Sequence, residues 1–547
     1  SVFQECHASD GNGGAISAYR WVTIQADNAS FIENYSNSGG GAVYLYDANA
    51  ASVFSSCTFQ ENRARWYRGG AIHAYTDNDL TFENTSFIRN MADKEGGAIS
   101  THRRSPLTLQ NVDFIKNTSE RRVGGAIWVS QVNRDEYDVT ITDTEFTENA
   151  SDLGGGGIAI IDGGLIQLNQ VSFTGNRVES VGPGGGMFLF QNGAVRVSHT
   201  QFMGNNATYG GGVYNENTRI DIDSEVDLTP EDTWTNNVFS DNRATLGGAF
   251  SSLDNSYLVM TNNTFLRNHA TETGSILHLA DAAPNVRNNA FAFSPYGSAV
   301  HFVDETTQAL ADFQYNAWYG NADGDSTEDW GIVSSTGSIS ADPMFISSHT
   351  ELGSQEATAQ LTLESPLRDA GDPNLEDTDG TVSDIGYAGG PGFASGDGDL
   401  DGYPNRYDCN DADDTVFPGA EETWYDSINQ DCGTGSDFDA DSDGADHADH
   451  GGEDCDDTNP EVVEGCANDQ EDTGLGEEPV DPTTTAPKQG CGGCNHPNSQ
   501  PWGLLGALAS LLWIRRRANP TLAYVPVGTP RGRHLRERAR LPRGPRS

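Results

Sequence analysis

The sequence predicts an all-β solenoid, a parallel β-helix, and three observations lead there. A Phe followed three residues later by Asn recurs at Phe31/Asn34, Phe59/Asn62, Phe87/Asn90 and Phe114/Asn117, with further copies from Phe146, Phe173, Phe202 and Phe239 and degenerate ones at Phe265 and Phe291. Gly-Gly-Ala and an apolar residue then follow, as in Gly40-Gly41-Ala42-Val43 and Gly69-Gly70-Ala71-Ile72. The spacing is mostly 26 to 29 residues, stretched by insertions after Asn117 and Asn205. A fixed period of this length denotes an array of stacked units.

Within one unit, residues 71–75, 80–82 and 86–88 are short apolar-alternating runs separated by Asn, Asp, Gly and Ser. No helical period competes, so each run reads as a strand and the unit as one coil. The residue after Gly-Gly-Ala, or after Gly-Gly-Gly at three of the copies, is apolar throughout: Ile16, Val43, Ile72, Ile99, Ile127, Ile158, Met187, Val213 and Phe250. Two residues on, Ala18, Leu45, Ala74, Val129, Ile160 and Leu189 are small or apolar again. A strand of period 2 turns both columns to one side, where stacking buries them behind the Phe column. Gly and Asn, which tolerate left-handed backbone, are expected at the tight corners. About eleven coils at the ~4.8 Å strand spacing make a rod of roughly 50 Å.

The same strands have an outward face. One column reads Ser17, Tyr44, His73, Ser100, Trp128, Ala159, Phe188 and Tyr214, and its neighbour reads Tyr19, Tyr46, Tyr75, His102, Ser130, Ile161 and Phe190. Rings stacked along a flat sheet can lie against sugar faces, so Tyr44, Tyr46, His73, Tyr75, Trp128, Phe188 and Tyr214 are candidate glycan-binding residues. The competing account is that the rings only stabilise the sheet, or that a loop covers them.

With F-x-x-N and G-G-A-[I/V] recurring together over residues 1–303, the sequence resembles the repeats of the chlamydial polymorphic outer-membrane proteins and, more broadly, the right-handed β-helix surface proteins. That resemblance implies a right-handed coil, with adhesion or surface display as its function. Residues 304–394 carry Ala341-Asp342-Pro343-Met344-Phe345 and Asp369-Ala370-Gly371-Asp372 in place of the double glycines. This segment is similar to the closing coils of bacterial β-helix surface proteins, and an uncovered last coil would need such a cap. Ser1 opens inside a repeat, with Phe3 in register and Cys6 where Asn is expected, so further sequence upstream is expected.

Acidic residues number 80 against 31 basic ones, and residues 395–481 hold 29 Asp and Glu with Arg406 as the only base. Such a balance excludes nucleic acid as a partner and favours cations. Residues 397–408 place Asp397, Asp399 and Asp401 at positions 1, 3 and 5 of a twelve-residue loop, with Gly402 at 6, the Tyr403 carbonyl at 7 and Asp408 at 12. Alternate carboxylates around a Gly turn supply the six to eight oxygens that Ca2+ takes. A second run, Asp437, Asp439, Asp441, Asp443 and Gly444, leads to Asp454, with His447 and His450 in between. The His pair makes copper or another transition metal the weaker alternative. Cys409, Cys432, Cys455 and Cys466 allow three pairings, and the local one joins 409 to 432 and 455 to 466. Residues 395–467 resemble the metal-binding motif of the methanotroph surface protein MopE and the calcium-binding type 3 repeats of thrombospondin.

Residues 468–490 form an acidic Pro- and Thr-rich linker. Residues 491–517 hold Cys491-Gly492-Gly493-Cys494, an apolar run over 501–514 and Arg515-Arg516-Arg517. Two Cys alone cannot close a zinc site. The order of Cys motif, short apolar helix and arginines resembles the C-terminal sorting tag of myxobacterial surface proteins, which implies attachment to a membrane or the cell surface. A basic tail, residues 518–547, follows. The whole therefore reads as an exported surface protein, a β-helix rod on a calcium-ordered stalk, binding polysaccharide or a cell-surface glycan. The alternative is a secreted polysaccharide lyase or glycoside hydrolase on the same fold, for which residues 134–138 and Arg103 with Arg104 offer charged groupings.

Overall fold

The computed structural model describes residues 1–391 apart from 49–50, 131–138, 217–231, 254–256, 281–282, 323, 325–334, 346–358 and 363. It also describes residues 409–459 apart from 411, 414, 418–419, 421, 434, 442–443, 453 and 455–456. Coils stack in parallel through three long sheets. In the sheet that follows the double glycines, eleven strands run from Ile16–Tyr19 to Val300–Phe302, with Val43, Ile72, Ile99, Ile127 and Ile158 in one register row.

In four successive coils, from Asp79–Ile88 to Ile166–Thr174, the two later runs fuse into one bent strand; elsewhere they stay two separate strands. In Asp79–Ile88 the bend falls at Asn84, whose φ is +48°. Leu80 and Phe82 before the bend, and Thr85 and Phe87 after it, all point inward. A third, two-residue strand follows the Asn, as in Arg63–Ala64 and Met91–Ala92, too short to read from the sequence.

The F-x-x-N spacing has a geometric cause. After Phe87 the next side chain points out, Arg89 takes φ +51°, and that left-handed residue turns Asn90 back inside. In this motif the left-handed position is therefore the residue before the Asn, a correction for the Asn of F-x-x-N, while other asparagines such as Asn84 and Asn111 take left-handed corners as expected. Each Asn of the motif is buried in a ladder instead. Asn117 donates to the Phe87 carbonyl at 2.9 Å and to Asn149 Oδ1 at 3.0 Å, while its own Oδ1 accepts the Asn90 backbone N–H at 2.9 Å and the Asn90 amide at 3.0 Å. A second ladder, Asn237, Asn263, Asn289 and Asn316, runs in the later coils at the other corner.

Beside the first ladder the Phe rings stack face to face from Phe3 through Phe31, Phe59, Phe87, Phe114 and Phe146 onward, with centroids 4.6 to 4.9 Å apart. Each fully buried Phe contributes about 1.5–3 kcal/mol. The double glycine divides two tasks. Gly96 has φ +73°, and a Cβ on Gly97 would lie 1.9 Å from the Gly125 carbonyl of the next coil.

Two strands, Asp312–Gln314 and Ala317–Tyr319, extend the largest sheet past residue 303, after a short helix Glu305–Leu310 capped by Asp304. Residues 365–391 then run back along the outside of the coils. Left-handed Asn236 and Asn262 donate to the backbone carbonyls of Tyr387, Gly389 and Asp384, and Asn288 to Ser383 Oγ. Leu367 and Ile385 pack there on Leu266, Ala290 and Ala317 in a small apolar cluster of their own.

Replacing Asn117 with Ala orphans the buried Phe87 carbonyl, the Asn90 backbone N–H and one Asn90 amide N–H at once, each worth about 1–3 kcal/mol, while Asn149 Oδ1 keeps the backbone N–H of residue 117. Chemical denaturation should therefore show Asn117→Ala losing roughly 3–5 kcal/mol, against less than about 0.5 kcal/mol for the exposed Gln110→Ala.

Candidate functional site

The strands Val43–Tyr46, Ile72–Tyr75, Ile99–His102 and Ile127–Ser130 lie in exact parallel register, so their outward side chains form two columns one coil apart. The structure separates the two columns. In the first, Tyr44, His73, Trp128 and Tyr214 are buried, and Phe188 is half-buried. In the second, Tyr46 and Tyr75 are half-buried and Tyr19 is 51% exposed. The expectation of two open columns is thus corrected to one.

The cause is the turn that precedes each double glycine. Its glycine reverses the chain just before the strand, so the preceding residues lean over the first column. Gly39 passes so close to His73 that an added Cβ would stand 2.6 Å from the ring. Tyr67 meets His73 edge-on at 5.5 Å, and the Arg68 guanidinium covers Trp128 at 4.5 Å. Arg68 is itself held by Glu95 at 2.8 Å. Sequence reasoning missed these covering residues, although Trp66-Tyr67-Arg68 ahead of Gly69 was the available signal.

The rings nonetheless form a continuous ladder, accessible at Tyr19, Tyr46 and Tyr75 and buried at His102 and Trp128. Tyr46 stacks on Tyr75 at 5.8 Å, Tyr75 on His102 at 5.2 Å and His102 on Trp128 at 5.5 Å, with Tyr19 tilted against Tyr46 at 6.0 Å. Burial and the nearby Arg68 push the His73 imidazole down to about 3, with Nδ1 set 3.1 Å from Ser100 Oγ. Burial, Arg68 and Arg103 hold His102 down to about 4. Burial also raises the Tyr44 phenol, with the neighbouring tyrosines adding to it. Both histidines are therefore uncharged at neutral pH, and the positive charge beside the ladder comes from the arginines around it.

In the acidic region a disulfide joins Cys409 to Cys432, with Cα atoms 5.7 Å apart. Asp439, Asp441 and Asp457 each offer a carboxylate oxygen, and these oxygens lie within 4.8 Å of one another. Asp457 was not among the residues expected from the sequence, because the histidine insert displaces the loop's closing residues. Asp437 is not in this group. Its oxygens accept the backbone N–H groups of Tyr425 and Ser427, at 3.1 and 2.6 Å. Asp454 is buried and pairs with His447 in an isolated bridge. His450 stacks between Tyr425 at 5.1 Å and Phe438 at 4.8 Å, and His447 Nδ1 accepts the Asp449 N–H, so neither histidine joins the carboxylates. The Tyr425 hydroxyl donates to Asp457, which with burial and nearby aspartates raises its pKa to about 12.

Three carboxylates are hard oxygen donors, which fit calcium and fall short of a full shell without further oxygens. Asp397, Asp399, Asp401, Tyr403, Asp408, Asp443, Cys455, Cys466, Cys491, Cys494 and Arg515, Arg516 and Arg517 lie outside the described residues, as do residues 134–138. Among the described residues no helix is long and apolar enough to cross a membrane. Arg104 pairs with Asp77 at an exposed corner, and Arg103 lies over Tyr75.

Residues 23–226 match the family model described as a right handed beta helix region. The fold is a right-handed parallel β-helix. No curated protein and no solved structure matches the chain. Coils of this β-helix past residue 226 continue the same registers to Val300–Phe302 and Ala317–Tyr319.

The buried histidines give the β-helix an acid limit. His73, His102 and His278 are held down to about 3, about 4 and about 4, chiefly by burial, so the folded state keeps them uncharged while an unfolded histidine titrates near its ordinary 6.5. The unfolded chain then binds more protons as pH falls below that value, and stability is lost in the window from about 6.5 towards 4. Melting temperature should fall between about pH 6.5 and 5, and His278→Gln should flatten that slope.

Proposed function

We propose that this chain is a surface β-helix protein that binds polysaccharide or a cell-surface glycan along its rod, with a calcium-ordered acidic region. The observation that carries the reading is the ring ladder through Tyr19, Tyr46, Tyr75 and His102, aligned with the rod axis on a wall of parallel strands. Sugar rings present apolar faces that aromatic planes cover, and a repeated ligand suits a repeated platform. The uncharged state of the histidines supports this, since it leaves the ladder a stacking surface at neutral pH. Export and attachment to a membrane or the cell surface belong to the same proposal and are supported by the sequence resemblances alone.

The test is a glycan array probed with the full chain and with Tyr19, Tyr46 and Tyr75 all changed to Ala. These side chains stand at the surface, so the variant should keep its far-ultraviolet spectrum and lose at least about tenfold in affinity, or about 1.4 kcal/mol. Unchanged binding by the variant would remove the ladder as the basis of recognition.

For the acidic region, calcium is the proposed ion, with Asp439, Asp441 and Asp457 among its ligands and the carboxylates of residues 397–408 as a second group. Calcium should raise the melting temperature by relieving the crowded negative charge. Asp441→Asn with Asp457→Asn should reduce that gain, as read by thermal melts in calcium and in chelator. An equal gain in the variant would take these residues out of the site.

A further inference from the structure

Resting on the reading of the ring ladder as a glycan platform, we propose that its ligand is an anionic polysaccharide, held by cationic side chains set on both sides of the rings. The chain as a whole has a net charge of −49. Within residues 61–122, however, ten Lys and Arg stand against eight Asp and Glu, whereas residues 139–303 hold six against 17. The local reversal is not a demand of the fold, because the later coils form the same strands and ladders without it. It coincides with the stretch in which the rings are continuous from Tyr46 to Trp128.

The cations are placed to serve those rings. On one side Arg103, immediately after the strand Ile99–His102, is exposed and lies over Tyr75 at 5.3 Å. On the other side Arg68 lies over Trp128 at 4.5 Å, and Lys94 over Tyr67 at 4.9 Å. Several neighbouring bases are already neutralised across coils, Arg104 by Asp77, Arg121 by Asp93 and Arg68 by Glu95. Among the described residues, Arg103 and Lys94 have no such carboxylate and touch only aromatic faces. A cation whose only partner is a ring keeps its capacity for an anion, and a guanidinium takes a carboxylate or sulfate through paired N–H groups. The rod would then hold the polymer by stacking its sugar faces on the ladder while its acid groups meet Arg103 and Lys94.

The full chain is titrated with alginate, dextran sulfate and unmodified dextran, which carry carboxylate, sulfate and no charge. Alginate or dextran sulfate should bind at least about tenfold tighter than dextran, and that binding should weaken at least about tenfold between about 0.05 and 0.3 M salt. Arg103→Glu with Lys94→Glu should cause a loss of the same size, with melting temperature unchanged. Preference between alginate and dextran sulfate identifies the acid group. Dextran binding as tightly as the charged polymers, without salt dependence and unaffected by the double variant, overturns the anionic assignment and leaves the stacking platform standing. Salt-sensitive binding of alginate that survives loss of Tyr19, Tyr46 and Tyr75 overturns the platform instead. Absence of binding to all three polymers overturns this proposal.

Discussion

A parallel β-helix survives on one condition: the backbone at each corner must be buried without leaving its polar groups unpaired. Here the condition is met by the asparagine ladder. One amide in every coil satisfies a carbonyl of the preceding coil and the backbone N–H of its counterpart there, and passes its own donor to the next amide. An unpaired buried group costs about 1–3 kcal/mol, so a single corner left unsatisfied would offset the burial of a Phe. The Phe stack, the left-handed residue before each Asn and the glycine pair all serve to bring successive corners into the same position. Because the ladder is translational, it fixes the register of every strand between corners.

That register decides what the molecule can present. Side chains that leave the sheet do so in rows one coil apart, so the surface is a wall ruled with columns. The described coils offer such a wall, with a shallow depression of about 480 Å3 between residues 178–180 and 269–271 lined mainly by small and polar side chains, among them Thr208, Thr245 and Thr271. Recognition on a wall depends on repetition, and a ligand with its own repeat gains from each rung it meets. The tilt from a predominantly acidic chain to a mixed one at residues 61–122 is then the feature that distinguishes one section of wall from another.

Much of this was legible in the letters. Phe87, Asn90, Gly96 and Ile99 announce themselves because core, corner and close approach each admit few residue types. Their period is the fold. The exposed or covered state of Tyr44 and Tyr46 was not legible, because alternation says only which way a side chain leaves the sheet. Whether it reaches water depends on Tyr67 and Arg68, residues outside the strand pattern and held by contacts with the neighbouring coils. The two-residue strands that follow the Asn in the earlier coils, such as Arg63–Ala64, escaped for a different reason: at that length there is no alternation to read. In the acidic region the carboxylates were plain, but their grouping was not. The insert carrying His447 and His450 shifts the loop, so Asp457 joins Asp439 and Asp441 while Asp437 serves a turn.

These two parts of the chain answer to different physics. In the coils, shape is set by neutral groups, stacked rings and paired amides, and the ion pairs lie mostly at exposed corners where each is worth under about 1 kcal/mol. Cations there are therefore spare for binding, since the fold does not need them. In residues 409–459 the reverse holds. Carboxylates outnumber apolar anchors, Asp437 and Asp457 tie backbone together, and the few rings, Tyr425, Phe438 and His450, make one small stack. Compactness in that region must be supplied against its own repulsion, which the disulfide and a bound cation can do and a hydrophobic core cannot. A change of ionic conditions should thus reach the acidic region through its stability, and the coils through what they hold.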